Sequence, residues 1–109
     1  MPHADLKYSD DLNIDAPAIL AEIEETILSH DNGSGACKGR AYPAAQYHHT
    51  HILIEVAMLS KPHRDAAFTD RLITELERRI KARLNQPCAF SLAVRYSSGG
   101  YVTNLHQPD

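Results

Sequence analysis

Two basic side chains stand close together in a short stretch that predicts a strand. Residues 37–41 contain Lys38 and Arg40 two positions apart, and side chains at that spacing in a strand project from the same face. The pair could bind the carboxylates of a ligand, or it could form a solvated strand face, and the sequence alone allows both interpretations. Arg64 is a third candidate, because a positive charge just before a helix is unfavourable there, which favours a functional or partner-bound role.

The histidines raise a different chemistry, that of a metal site. His49 and His51 would lie on one side of a strand, about 6.6 Å apart by the rise per residue. Two ligands at that distance suit a metal ion if a third, such as His63 or His106, comes near, whereas a zinc motif typically has tighter spacing and a visible third ligand. The simpler interpretation is a polar segment that leads into a buried strand, and we expect no bound metal.

Pro2 raises a question of position. Proline lacks the amide hydrogen that a sheet ladder needs, so strands accept it at their first position but rarely inside. It stands directly in front of residues 3–8, whose apolar and polar side chains alternate as in a half-buried strand. Strand geometry permits a proline here but does not explain it.

Composition narrows the class of protein. The 109 residues predict one domain, 1–109. A net charge of −3 argues against nucleic acid or an anionic membrane as the main partner, and no apolar run is long enough to span a bilayer. Cys37 and Cys88 lack metal-ligand spacing, so we expect free thiols and a reducing, cytoplasmic location. Nothing in the sequence places Cys88 beside a histidine as a nucleophilic pair.

Hydrophobic periodicity predicts strand–helix–strand, twice over. The helices should begin at capping residues Asp15 and Asp65, the second ending near residues 85–87. On the second helix, Glu75/Arg79 and Glu77/Lys81 have the spacing of surface ion pairs. The predicted strands are residues 3–8, 37–41, 52–59 and 88–96, with a short edge strand at 101–105.

Right-handed crossovers would make each strand–helix–strand unit a parallel pair. The predicted fold is therefore α+β: two βαβ units that form a four-stranded mixed sheet with two helices on one face. Residues 52–59 are apolar on both faces except at Glu55, which predicts a central strand covered on both sides. We expect the sheet face without helices to be apolar and to be covered in an oligomer.

Several features together resemble 5-carboxymethyl-2-hydroxymuconate isomerase, a member of the tautomerase superfamily, which includes 4-oxalocrotonate tautomerase and macrophage migration inhibitory factor. They are the start Met-Pro-His, the basic strand at residues 37–41, the turn that ends in Arg64 before the second helix, and Asn104 near the end. The resemblance extends over essentially the whole chain in element order. It implies a tautomerase/MIF-like fold and a homotrimer with sites between subunits.

The resemblance also implies a role for Pro2. In this superfamily the methionine is removed and the free proline nitrogen acts as the general base, and we expect the same removal here because proline is small. A free α-amine titrates near pH 8, and burial with nearby cations would lower the pKa of proline's amine towards the working pH. Pro2 would take a proton from an enol acid and return it to another carbon.

Cations would complete the implied site, with no cofactor. Lys38 or Arg40 would stabilise the charge that develops on the dienol oxygen, Arg64 would bind a substrate carboxylate, and His3 would line the pocket. The chain has Lys38 where the best-known members carry arginine, and a lysine is a point charge rather than a bidentate clamp. This difference affects the expected substrate more than the expected fold.

The implied activity is that of an isomerase. It would be a keto-enol tautomerase acting on an unsaturated 2-hydroxy or oxo di- or tricarboxylate, such as 5-carboxymethyl-2-hydroxymuconate, in the catabolism of aromatic compounds. Relatives use the same proline for decarboxylation or dehalogenation, and the sequence does not separate these reactions. The alternative is a catalytically silent binding module on the same scaffold, with a metal site at His49 and His51.

Overall fold

The computed structural model describes residues 1–108, and its elements follow the predicted order. All four main strands and both helices are confirmed, with boundaries moved by a few residues. The strands are β1 (His3–Ser9), β2 (Lys38–Ala44), β3 (His51–Leu59) and β4 (Ala89–Ser97), and the helices are α1 (Ala16–His30) and α2 (Ala66–Lys81).

The four strands form one mixed sheet in the order β2-β1-β3-β4. The pairs β1–β2 and β3–β4 are parallel, as predicted, and β1–β3 is antiparallel. His3 is opposite both Lys38 of β2 and Ala57 of β3. The starts of β1 and β2 therefore meet the end of β3 at one edge of the sheet, which we call the Pro2 end.

Both helices begin at the predicted caps. A side-chain oxygen of Asp15 accepts a hydrogen bond from the amide of Ala18, and one of Asp65 accepts from the amide of Phe68. The second helix ends at Lys81, so its predicted end near residues 85–87 is wrong. The amide of Leu84 bonds to the carbonyl of Lys81 three residues back, and such tight turns end the helix early.

The core lies between the helices and one face of the sheet. Strand alternation points every second residue of β1 and β3 towards the helices. The predicted helix stripes are buried at Ile23, Ile27, Leu72, Leu76 and Ile80. The sheet contributes Ala4, Leu6, Ile52, Ile54, Val56 and Met58 to the same core.

The opposite face, here called the open face, carries charged side chains and also apolar ones such as Leu53 and Ala93, so the predicted apolar face is confirmed only in part. On β1 the outward residues include Asp5 and Lys7, and on β3 they include Glu55. Asp5 pairs with Arg40, and Glu55 with both Lys7 and Arg95. Apolar side chains of β1 alternate inward, which leaves its polar ones outside. Within this chain the helices cover one face of β3, and the predicted cover on its other face stays a prediction.

Ion pairs on α2 follow the prediction only in part. Lys81 pairs with Glu77 at 2.5 Å, as expected. Glu75 pairs with Arg78 instead of Arg79. The guanidinium of Arg79 crosses to Glu22 of α1, because that carboxylate lies largely buried between the helices, where an ion pair is screened less by water.

The predicted edge strand at residues 101–105 is wrong, since residues 98–108 contain no strand. Val102 and Leu105 are exposed, so burial does not stabilise a strand there. Cys37 and Cys88 are free thiols. Within residues 1–108, no helix is both long and apolar enough to cross a membrane.

Gly39 allows α1 to approach β2 closely, since an added Cβ would lie 2.9 Å from Cδ2 of Leu20. Replacing Gly39 by Val should therefore lower the free energy of unfolding by about 1–2 kcal/mol, although valine favours strands. Gly99→Val is the control, because nothing lies within 4 Å of a Cβ there. Urea unfolding measures both variants, and equal stability of the two would contradict the close packing.

Candidate active site

Pro2 is buried and fixed to the second strand through its carbonyl. That oxygen accepts a hydrogen bond of 2.9 Å from the amide of Lys38, which continues the β1–β2 ladder by one bond. The ring needs no ladder donor at this position, which is why a proline fits. With Met1 attached, its nitrogen is an amide nitrogen without basicity. Removal of Met1 would leave a secondary amine at a fixed place on the Pro2 end.

Three of the other predicted residues lie at the Pro2 end of the sheet, on its open face. His3 and Lys38 are opposite one another across β1 and β2, and Arg40 is two residues further along β2 on the same face. Nη1 of Arg40 is 3.2 Å from Nδ1 of His3. A guanidinium can only donate, so Nδ1 of His3 accepts and the ring carries its proton on Nε2. The structure thus places two cations and a hydrogen-bond donor at the Pro2 end.

Asp5 is a neighbour of this site that the sequence interpretation missed. It lies directly opposite Arg40 in the β1–β2 register, and its Oδ1 is 2.7 Å from Nε of Arg40. The alternation of β1 already put Asp5 on the same face as His3, which was the available clue. The carboxylate offsets part of the positive charge of Arg40 as an ion pair, and within residues 1–108 its buried Oδ1 accepts no hydrogen bond.

Arg64 is buried, with a side chain only 3% exposed. Nε and Nη2 donate to Oδ2 of Asp31 at 3.0 and 2.8 Å, and Nη1 donates to the carbonyl of Leu59 at 2.7 Å. A substrate carboxylate would have to displace Asp31 to reach this guanidinium. The predicted role of Arg64 in substrate binding stays a prediction, and these contacts favour a structural role.

The Asp31 carboxylate ties three segments together near the Pro2 end. It follows α1, it accepts from Arg64, and Arg64 in turn bonds to the last residue of β3, Leu59. Nε2 of His63 also donates to Oδ2 of Asp31 at 2.8 Å. The hydrogen bond from His63, together with those from Arg64, lowers the pKa of Asp31 to about 2.

The histidine segment lies at the other end of the sheet, because His51 begins β3 while Ala57 is opposite His3. Nδ1 of His51 is 2.8 Å from the carbonyl of His49. His63, one of the proposed third ligands, is bound to Asp31 instead. Among residues 1–108, no group of three or more suitable side chains could hold a metal ion.

The two cysteines lie in different surroundings. Burial and the nearby Glu24 carboxylate raise the pKa of Cys37 to about 11, so its thiol stays protonated at neutral pH. Cys88 lines a cavity of about 260 Å³ with Lys81 and Phe90, at the end of the sheet away from Pro2.

Comparison with known proteins identifies the fold but not the function. No protein-family model and no curated protein sequence matches the chain. Among solved structures, a 5-carboxymethyl-2-hydroxymuconate delta-isomerase is similar over 99% of this chain and 89% of its own, with a TM-score of 0.72 and 20% identity. A 5-carboxymethyl-2-hydroxymuconate isomerase from Deinococcus radiodurans R1 is similar over 96% and 90%, with a TM-score of 0.68 and 18% identity.

A structure described as "Q0 fused 4-OT wild type symmetric trimer" is similar over 88% of this chain and 85% of its own, with a TM-score of 0.68 and 14% identity. These likenesses extend over nearly the whole chain. They confirm the predicted resemblance at the level of the fold: the chain has the tautomerase fold, with its two βαβ units and mixed four-stranded sheet. At such identities they do not assign a reaction.

Replacing Asp31 by Asn should lower the free energy of unfolding at pH 7 by about 2–4 kcal/mol, because it leaves the buried Arg64 without its partner charge. The loss should depend on pH. The folded pKa of Asp31 is about 2 against a usual 3.8, so its contribution is complete above about pH 4 and is lost as the pH falls through 2.

Urea unfolding at pH 7, 4 and 2.5 measures this effect as the difference in stability between parent and Asp31→Asn. The difference should shrink by about 1–2 kcal/mol at the lowest pH. Glu77→Gln is the control, because its ion pair with Lys81 is half-exposed. A difference that does not change with pH would contradict the role assigned to the carboxylate.

Proposed function

We propose that this chain is a keto-enol tautomerase in which Pro2, freed by removal of Met1, is the general base. The observation that carries the proposal is the placement of Pro2. It is buried, it is anchored through its carbonyl to the amide of Lys38, and it has two basic side chains on the adjacent strand. A rigid ring with a fixed carbonyl fixes the direction of the nitrogen, which lowers the cost of orienting the base.

The basic residues would bind and stabilise the anionic substrate. Lys38 is exposed beside Pro2 and serves as a point charge for a carboxylate or for the developing enolate oxygen. Arg40 is held by Asp5 and His3 on the same face and donates from a fixed position. His3, with its proton on Nε2, is a further donor at the rim. Both cations also favour the neutral form of the proline amine.

The substrate in this proposal is an unsaturated 2-hydroxy or oxo acid. The named relatives suggest a di- or tricarboxylate such as 5-carboxymethyl-2-hydroxymuconate, whose conversion would place the protein in cytoplasmic catabolism of aromatic compounds. An acid with one carboxylate, such as phenylenolpyruvate, is the other substrate class within this proposal. Arg64 is assigned to the scaffold rather than to the substrate, because Asp31 already occupies its guanidinium. Decarboxylation and dehalogenation are alternative reactions for the same proline, and assays on acids that can undergo them would detect either one.

We further propose a homotrimer with sites between subunits. The open face and the outer edges of β2 and β4 have no cover within residues 1–108, and an uncovered strand edge favours pairing with another chain. One of the similar solved structures is described as a symmetric trimer. Because the open face is charged, we expect its ion pairs to lie within the assembly or at its rim.

An inserted residue tests the base directly. With alanine placed between Met1 and Pro2, removal of Met1 leaves the nitrogen of Pro2 acylated and without basicity. We expect kcat/KM for phenylenolpyruvate and 2-hydroxymuconate to fall at least about 100-fold, the lower end of what a general base contributes. Ketonisation is followed by loss of enol absorbance, and intact mass confirms the N-terminus of each preparation.

Pro2→Ala is the matched variant, since it keeps a free, primary amine at the same place. Pro2→Ala should retain more activity than the inserted variant. The ascending limb of its kcat/KM against pH should shift, because the pKa of a primary amine differs from that of proline. Full activity of the inserted variant would show that Pro2 is only a permitted residue at the start of a strand. It would favour the binding-module alternative or a different base.

Light scattering tests the assembly. At micromolar concentration we expect a mass close to three times that of the 12.1 kDa chain, because the uncovered strand edges and the open face would be covered by other copies. The measurement is repeated in 1 M salt, where a trimer held only by surface ion pairs would dissociate. A stable monomer at low salt would refute the trimer.

A further inference from the structure

We propose that Asp5 determines substrate specificity by limiting the positive charge at the Pro2 end. In this role Asp5 makes the site favour enol acids with one carboxylate over those with two or three. The inference rests on the proposed function and goes beyond it, because it names a residue and a class of substrate. Nothing in the resemblance to other proteins assigns a role to Asp5.

The contact geometry supports this role. Oδ1 of Asp5 is 2.7 Å from Nε of Arg40, and the two residues are direct partners in the β1–β2 register. The guanidinium also contacts Nδ1 of His3 at 3.2 Å and the carbonyl of Lys38 at 3.4 Å. Arg40 therefore has its charge partnered by Asp5, and its Nη1 lies between His3 and the carbonyl of Lys38 at the Pro2 end.

The charge balance follows from these contacts. Next to Pro2, Lys38 and Arg40 supply two positive charges and Asp5 offsets one of them. Glu55, opposite Asp5 on β3, is paired with Lys7 and Arg95. One net positive charge matches one carboxylate. Each further carboxylate on a substrate meets the repulsion of Asp5 and of the neighbouring Glu55.

The size of the effect depends on screening. The side chains of Asp5 and Arg40 are 29% and 43% exposed, so water weakens the repulsion but does not abolish it. For charges separated by roughly 6–8 Å near a surface, we expect a discrimination of about threefold to tenfold for each added carboxylate. The discrimination should fall as the salt concentration rises.

Asp5→Asn tests the inference while keeping the shape of the side chain. The measured quantity is the ratio of kcat/KM for 2-hydroxymuconate, with two carboxylates, to kcat/KM for phenylenolpyruvate, with one. We expect the variant to raise this ratio about threefold to tenfold at low salt, with most of the gain lost in 0.5 M salt. A purely structural role of Asp5 would lower both values together and leave the ratio unchanged.

Glu77→Gln is the matched control, because it changes the net charge of the protein by the same amount on the outer surface of α2. Its ratio should equal that of the parent. A ratio for Asp5→Asn within twofold of the parent, with the parent active, would overturn the inference and leave the proposed function intact.

A binding measurement separates the two proposals if the parent is inactive on both enol acids, a result that overturns the tautomerase function. Hexanoate and adipate are then titrated into parent and Asp5→Asn by calorimetry, since they differ by one carboxylate and need no turnover. A selective gain in adipate affinity in Asp5→Asn would support the proposed discrimination by Asp5 against additional carboxylates. An equal change for both ligands, or none, would refute it.

Discussion

The pairing of β1 on both of its edges is the constraint on which the rest of the molecule depends. Its parallel pairing with β2 brings Lys38 and Arg40 beside the start of the chain, and its antiparallel pairing with β3 brings the end of that strand to the same place. A one-residue slip in either register would exchange the core face of β1 with its charged face. The hydrogen bond from the amide of Lys38 to the carbonyl of Pro2 extends this pairing to the residue proposed as the base.

The charged open face follows from the same alternation. Because the apolar side chains of β1 face the helices, its outward positions are polar, and they form ion pairs around Arg40 and Glu55. Exposed ion pairs contribute little to stability. Asp5 and Glu55 lie opposite one another across β1 and β3, so the two groups are adjacent and form one band of charge across the sheet.

Local patterns were enough to predict the elements, and tertiary contacts decided the rest. The Asp15 and Asp65 caps and the strand alternation are properties of neighbouring residues, so the sequence displays them directly. Local sequence does not display the partners of Arg64 and Arg79, because both guanidinium groups pair with residues far away in the chain. The interpretation of Pro2, His3, Lys38 and Arg40 as one site comes from a family resemblance and stays a prediction. The contact between Asp5 and Arg40 required the strand register, which no sequence pattern supplies.

The protonated thiol of Cys37 has a consequence for the durability of such a site. Cys37 precedes Lys38, whose amide binds Pro2, so it lies next to the place where conjugated oxo acids would form. Such compounds are electrophiles, and a thiolate there would be open to alkylation and to oxidation. With a pKa of about 11, few molecules carry that thiolate at neutral pH. If the proposed tautomerase activity holds, burial beside Glu24 protects the protein against inactivation by its product.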